Sequence, residues 1–364
     1  MQKIFAQTSK NLPWLENNTI LLVKHGSVAY GTNTPESDED FKGICIPEKK
    51  YYLGAINKFE QTVLKDPDTV IYEINKFIEL AAQNNPNIIE VLFTSPEDHI
   101  LVKEAGKVLL QNKEKFLSKR IKFTFSGYAI SQLKRIKLHR KWLLNPITIE
   151  PKRSDFGLPE QTLIPQDQLM AANAEVQKEL DRFNFDFMSN LDEASKIEIK
   201  YIMSEMLSEM KIYADEQWSA MARKVGMDEN FILLMSKERQ YNARRKEYEN
   251  YKNWENTRNP KRAFLEAKYG YDSKHAYHLV RLMRMCAEIL ATGEVIVKRP
   301  DYKELLEIRN GAWNYDYLIK WAEDKEKEIN EIYLSSKLPH SPDREYLDNL
   351  CIELVEKSLY EKNK

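Results

Sequence analysis

The chain has 364 residues, with 55 basic and 56 acidic side chains that leave a formal net charge of −1. Its length exceeds the roughly 100–200 residues of a typical domain and favours two domains, while 42% hydrophobic and 30% charged residues are typical of a globular protein. The balanced charge excludes attraction of the whole molecule to nucleic acid or to anionic membranes.

Short apolar runs near the beginning of the chain predict strands. TILLVK at 19–24 and DFKGICI at 40–46 each have the β-branched and apolar composition of a buried strand. FEQTVL and TVIYE, joined by KDPD, predict a hairpin over 59–73. These runs together predict a small sheet.

The remainder of the chain has mainly helical periodicity. From Ile74, apolar residues recur at intervals of three and four, which predicts a helix over INKFIELAAQ and a second, short helix over IIEVLF. Beyond about residue 100 the pattern is helical almost throughout. The stretch 145–168 contains four prolines and no periodicity, which predicts a loop or linker.

A pair of acidic residues follows the first predicted strand. Asp38 and Asp40 stand at i and i+2, so on an extended strand they point the same way, roughly 6.5–7 Å apart. Two carboxylates at this spacing repel each other unless a cation lies between them, and Mg²⁺ or Mn²⁺ prefers such oxygen ligands. Two-metal phosphoryl transfer usually needs a third acid, for which the hairpin offers Glu73 and Asp68.

The turn before this pair supplies the other part of a candidate site. Backbone N–H groups at a glycine-containing turn that opens a helix can bind phosphate, and Gly26 and Ser27 stand at such a point. Taken alone, an Asp-x-Asp pair or a Gly-Ser turn is more often structural. Their combination, flanked by apolar strands, is more specific for a nucleotide site.

The segment GSVAYGTNTPESDEDFKGI resembles the Gly-Ser, spacer, Asp-x-Asp motif of the DNA polymerase beta-like nucleotidyltransferase superfamily. Its Ala-Tyr-Gly-Thr turn and its Ser-Asp-x-Asp-x-Lys-Gly continuation are similar to the predicted nucleotidyltransferases of an RNA repair pathway. The likeness extends to 68–93, 125–146 and 268–294. The resemblance implies metal-dependent transfer of a nucleoside monophosphate from an NTP to an acceptor hydroxyl.

The resemblance also implies roles for individual residues. Ser27 would contact the triphosphate, and Asp38 with Asp40 would hold the metal. We favour Glu73 as the third acid because it stands where the strand runs into the helix, and Asp68 is the alternative. The motif adds these nucleotide-binding candidates: Gly26, Tyr30, Gly31, Thr32, Ser37 and Lys42.

A distal segment, DSKHAYHLVRLMRM, adds a candidate cationic surface. Lys274, His278 and Arg281 fall at i, i+4 and i+7 and predict one basic helical face suited to phosphate oxygens, with Asp272 as the N-cap. A solvated face of an amphipathic helix is the alternative. The resemblance supports a ligand role and adds two candidates, Lys268 and His275.

Two other stretches combine basic residues with apolar or aromatic ones. The segment 131–144 places lysines and arginines around an apolar stripe, and 237–258 interleaves Tyr and Trp with Arg and Lys. Such composition suits RNA contact. It is equally typical of a solvated helix face or a packing seam, and the sequence leaves both readings open.

The cysteines and the hydropathy pattern bear on the cellular compartment. The three cysteines are scattered, which argues against a disulfide framework or a structural zinc site. No apolar run approaches the roughly 18–20 residues of a membrane span, and we find no export signal. We therefore expect a cytoplasmic protein with no membrane partner.

These observations predict an α+β protein. A nucleotidyltransferase domain over 1–100, built on a small mixed or antiparallel sheet, would precede a mostly α-helical domain over 101–364 that closes the nucleotide cleft. The expected partners are an NTP, Mg²⁺ or Mn²⁺, and an acceptor, for which RNA such as a tRNA 3′ end is favoured. Nucleotidylation of a protein or small molecule is one alternative, and a non-catalytic NTP- or RNA-binding module is another.

Overall fold

The structure is a computed structural model that describes residues 4–5, 11–162, 164–185 and 214–361. The chain divides into two compact units, one formed by Met1–Lys137 with Lys268–Lys364 and the other by Leu138–Ala267. This division differs from the expected boundary at residue 100, because the last hundred residues fold back into the unit that contains the sheet.

The first unit begins with alternating strands and short helices. Its elements up to the unit boundary are α1 Leu15–Asn18, β1 Thr19–His25, α2 Gly26–Tyr30, β2 Asp40–Cys45, α3 Lys49–Leu53, β3 Gln61–Lys65, β4 Asp68–Glu73, α4 Ile74–Ala82, α5 Pro86–Leu92, β5 His99–Val102, α6 Glu104–Gln111 and α7 Ile121–Leu144, which runs into the second unit.

The remaining helices complete both units. Those after α7 are α8 Gln166–Phe185, α9 Ala214–Lys224, α10 Glu229–Thr257, α11 Pro260–Tyr269, α12 Ser273–Thr292, α13 Tyr302–Arg309, α14 Tyr315–Ser335 and α15 Arg344–Glu361.

The five strands form one mixed sheet in the order β3-β4-β2-β1-β5. β2 and β4 are parallel, and the other neighbours are antiparallel. The predicted α+β class is therefore confirmed, and both strands of the predicted hairpin are present. Strand β5 was not predicted, because four half-buried residues at a sheet edge are too few to show a period.

The central strands are covered on both faces. β1 is buried along nearly its whole length, which explains why it reads as a continuous apolar run rather than an alternating one. One apolar cluster, with Ile44 and Phe77, continues into the carboxy-terminal helices. A smaller cluster around Trp14 and Phe41 covers the other face.

Helix α12 is one of the carboxy-terminal helices that pack against the sheet-containing part of the first unit. Most of its residues are buried, and its Arg281 makes a buried ion pair with Glu90 of α5. The Tyr30 hydroxyl, at the end of α2, donates to the second oxygen of Glu90 at 2.6 Å. The Arg281 guanidinium lies 3.7 Å from the centroid of the Tyr30 ring, so three elements meet at one buried charge pair.

The second unit is helical in its described part. The stretch 145–168 does not form a free linker, because Arg153 makes an ion pair with the buried Glu238 of α10 and Leu158 and Ile164 are buried. The candidate RNA-contacting aromatics Tyr251 and Trp254 pack against Trp142, with ring centroids 5.3–5.8 Å apart. These rings therefore form a packing seam.

Two further observations concern the cysteines and the helices. Cys45, Cys286 and Cys351 are all buried free thiols. Among the described residues, no helix combines the length and apolar character required to cross a bilayer.

We predict that Arg281→Met lowers the free energy of unfolding by about 3–5 kcal/mol, because it leaves the Glu90 carboxylate buried without its charge partner. Chemical denaturation would measure the change. Lys107→Met is the matched control, since its ion pair with Glu104 is exposed, and should change stability little. A loss in Arg281→Met no larger than in the control would contradict the prediction.

Candidate active site

A close contact between backbone and carboxylate defines the centre of the site. Gly26 begins α2 directly after β1 and has a φ of +62°. A β-carbon built on Gly26 would overlap Oδ2 of Asp40. Only glycine combines this backbone conformation with the space that the carboxylate occupies. The fold therefore brings the Gly-Ser turn and the acidic motif into direct contact.

Two acids stand side by side at one edge of the sheet. Asp40 opens β2 and Asp68 opens β4, and the parallel register places them opposite each other. Asp38 lies in the irregular segment before β2, so it is not the regular strand neighbour of Asp40 that we expected. It is nevertheless close enough for its charge to affect the pKa of Asp40.

The electrostatics of the three acids favour a bound cation. Partial burial raises the pKa of Asp40, and the negative charges of Asp68 and Asp38 raise it further. A divalent ion with oxygen ligands would relieve this repulsion, so the donor set fits Mg²⁺ or Mn²⁺.

Two lysines lie beside the acids. Lys42 stands two residues after Asp40 on the same strand face, and its Nζ donates to the carbonyl of Asn87 at 3.1 Å. Burial lowers the pKa of Lys42 to about 8, although the charges of Glu90 and Asp40 oppose the shift. The positive charge of Lys274, on α12, lowers the pKa of Asp40. Both lysines can therefore attract an anionic ligand to this edge.

Glu73 occupies the opposite end of β4 from Asp68. Its register partner is Cys45 rather than Asp40, and its carboxylate accepts from the Tyr52 hydroxyl at 2.8 Å and from the Lys76 amide at 3.0 Å. Glu73 is buried and caps α4. This placement corrects our preference for Glu73, since the fold brings Asp68 to the aspartate pair instead.

The other basic candidates on α12 do not form an exposed ridge. Arg281 is buried against Glu90. Asp272 caps the helix by accepting from the His275 amide at 3.0 Å. The His275 ring lies 3.3 Å from Asp272 and 2.6 Å from Gln132. These contacts place Arg281, Asp272 and His275 inside the fold rather than on an exposed face, and their ligand roles stay predictions.

The two remaining basic candidates lie close to the rings of neighbouring tyrosines. The His278 ring centroid lies 4.7 Å from that of Tyr277. Lys268 is exposed, with its Nζ 5.0 Å from the Tyr269 ring centroid. Among the predicted α12 ligands, Lys274 carries a positive charge that lowers the pKa of Asp40.

The structure assigns structural contacts to several residues of the turn. Tyr30 is buried on Glu90, and Gly31 ends α2 with a φ of +71°. Thr32 is buried, with its hydroxyl 2.7 Å from that of Tyr277. Ser37 accepts from the Thr34 amide at 2.9 Å. Ser27 is half-buried and lies directly after Gly26, which leaves it as the turn residue best placed to meet a ligand.

Sequence reasoning missed two buried residues behind the site. His25 is the register partner of Asp40, and its Nε2 lies 3.5 Å from Glu90. Burial and the charge of Lys42 lower the pKa of His25 to about 3, so the ring is neutral. Glu90 is the lone charged residue of the apolar run IIEVLF. Because a buried carboxylate needs a partner, this position could have been identified from the sequence.

Part of the chain is similar to a known family. Residues 2–144 match the RNA repair pathway DNA polymerase beta family, in agreement with the resemblance that the sequence predicted for that segment. An uncharacterized 38.9 kDa protein in the nrdC-mobD intergenic region of Enterobacteria phage T4 is 31% identical over 128 residues, or 31% of this chain. The chain spans 37% of that relative's length. No solved structure matches.

We predict that Gly26→Ala lowers stability more than Gly293→Ala does. Gly293 also has a positive φ, of +76°, but a β-carbon there meets its nearest neighbour at 3.8 Å. The control should lose roughly 1–2 kcal/mol from backbone strain alone, whereas Gly26→Ala must also displace the Asp40 carboxylate. Chemical denaturation of both variants would measure the difference, and equal losses would show that the close contact is absent.

Proposed function

We propose that the chain is a metal-dependent nucleotidyltransferase that moves a nucleoside monophosphate from an NTP to an acceptor hydroxyl. The observation that carries the proposal is the parallel pairing of Asp40 with Asp68 beside the Gly26–Ser27 turn. An oxygen-rich candidate cation site would thus lie directly next to a candidate phosphate site. The match of residues 2–144 to a polymerase beta family supports the same chemistry.

In this proposal Asp38, Asp40 and Asp68 hold the divalent cation. Bound Mg²⁺ or Mn²⁺ would activate the acceptor hydroxyl and neutralise charge on the departing pyrophosphate. Ser27 would donate to the triphosphate. Lys274, whose charge acts on Asp40, would balance the negative charge of the phosphates. Lys42 would add a second positive charge beside the same acids.

RNA is the acceptor that we propose, with a tRNA 3′ end as one example. Its support is the RNA repair description of the family that residues 2–144 match. The net charge of −1 implies that an RNA would have to bind through a local basic surface. Nucleotidylation of a protein or small molecule needs the same aspartates, and a non-catalytic NTP- or RNA-binding module would need no acceptor hydroxyl.

We predict that Asp40→Asn and Asp68→Asn each reduce nucleotidyl transfer more than about 100-fold, since changes even to residues that only hydrogen-bond to a metal ligand cost about 10–100-fold. Glu73→Gln is the matched control and should retain most of the activity, because Glu73 stands at the far end of β4. The measurement is incorporation of label from each α-³²P-NTP with Mg²⁺ or Mn²⁺.

The same assay with total RNA and with total protein as acceptors tests the acceptor class. Label in RNA, with binding that weakens steeply as salt increases, would support the proposal, and label in protein would support the alternative. Absence of transfer by the wild-type protein to any acceptor in a cell extract would favour the binding module. Activity that survives Asp68→Asn but not Glu73→Gln would overturn the assignment of the third acid.

A further inference from the structure

The turn that follows Ser27 is held by helix α12, which lies beyond the family-matching segment 2–144. The Thr32 amide donates to the Ser27 carbonyl at 2.9 Å, and the Gly31 amide donates to the Val28 carbonyl at 3.0 Å. These two bonds hold the turn closed, and the first of them joins Thr32 directly to the backbone of Ser27. Whatever fixes Thr32 therefore also fixes the backbone of Ser27.

Thr32 is fixed by a buried hydroxyl pair. Its Oγ1 lies 2.7 Å from the hydroxyl of Tyr277 on α12, and both side chains are almost fully buried. Burial strengthens a hydrogen bond of this kind and makes its loss costly. The contact is direct, so α12 holds a residue that is itself bonded to the backbone of Ser27.

Tyr30, which lies between Ser27 and Thr32 in the chain, is also held by several contacts. Its ring stacks under the Arg281 guanidinium at 3.7 Å, and its hydroxyl bonds to Glu90 at 2.6 Å. Its carbonyl accepts from the Arg299 amide at 3.1 Å. The turn from Ser27 to Thr32 is thus held at Thr32 by Tyr277 and at Tyr30 by Arg281 and the Arg299 backbone of the carboxy-terminal region.

We propose that Tyr277 and Arg281 are positioning residues that hold the Ser27–Thr32 turn beside Asp40 for nucleotide binding, an inference that rests on the proposed function. Neither residue contacts the nucleotide. Tyr277 acts through Thr32, and Arg281 acts through Tyr30 and Glu90. The family-matching segment therefore binds nucleotide fully only with α12 in place.

The test compares two tyrosine variants of the full chain. Tyr277→Phe removes the hydroxyl that bonds Thr32. Tyr271→Phe is the matched control, because the fully buried Tyr271 donates to the Trp313 carbonyl at 2.6 Å, which is not part of the turn. Both variants should lose similar stability. Only Tyr277→Phe should weaken binding of the four NTPs with Mn²⁺, by about three- to tenfold, as expected for one hydrogen bond.

A second readout does not depend on the nucleotide. Hydrogen exchange of the Gly31 and Thr32 amides should become faster in Tyr277→Phe than in Tyr271→Phe, since the turn opens more often when its anchor is lost. Thr32→Val, which removes the other hydroxyl of the pair, should reproduce both effects. Thr32→Ser keeps that hydroxyl and should behave like the wild-type protein. The Tyr277→Phe, Thr32→Val double variant should be no worse than either single variant, because both remove the same bond.

Arg281→Lys tests the other contact, since it keeps the charge for Glu90 while it loses the stacking on Tyr30. It should weaken NTP binding in a protein that remains folded, and unchanged affinity would remove Arg281 from the proposal. NTP binding and amide exchange that are equal in Tyr277→Phe and Tyr271→Phe would overturn the inference for Tyr277. Absence of NTP binding by the wild-type protein would overturn the proposed function, and this inference with it.

Discussion

The buried ion pair between Glu90 and Arg281 is the interaction on which the rest of the first unit depends. It joins α5, which lies between β4 and β5 in the chain, to α12 almost two hundred residues later, and Tyr30 contacts both partners. A buried charge pair is costly to form and more costly to break. Such a pair favours one arrangement of α12 against the sheet, and that arrangement also fixes the end of the Gly-Ser turn.

The candidate site lies at the edge where this arrangement brings three elements together. β1 ends at His25, directly before Gly26, while β2 begins with Asp40 and β4 begins with Asp68. Because β2 and β4 pair in parallel with their first residues in register, Asp40 and Asp68 lie opposite each other at the same end of the sheet. Burial raises the pKa of Asp40, and the neighbouring negative charges of Asp68 and Asp38 raise it further. A cation bound by these acids would relieve the repulsion among them.

The sequence predicted an exposed basic face on α12, whereas the structure shows a helix with most of its residues buried. Arg281 and His275 face the interior and maintain the fold, and Asp272 caps α12. Lys274 is the α12 side chain whose charge acts on the aspartates. Helical spacing identifies residues on one face, but it does not say whether that face is exposed. In α12 both the apolar and much of the basic side are covered.

The sequence by itself determined the mixed α+β class, the hairpin over 59–73 and the pairing of a Gly-Ser turn with Asp38 and Asp40, because these features are local in the chain. Only the tertiary structure showed that Asp68, and not Glu73, lies beside Asp40. The two stand at opposite ends of one strand, and the choice depends on the register of β4 against β2. The role of Arg281 likewise depended on Glu90, a partner distant in sequence, which no local pattern can specify.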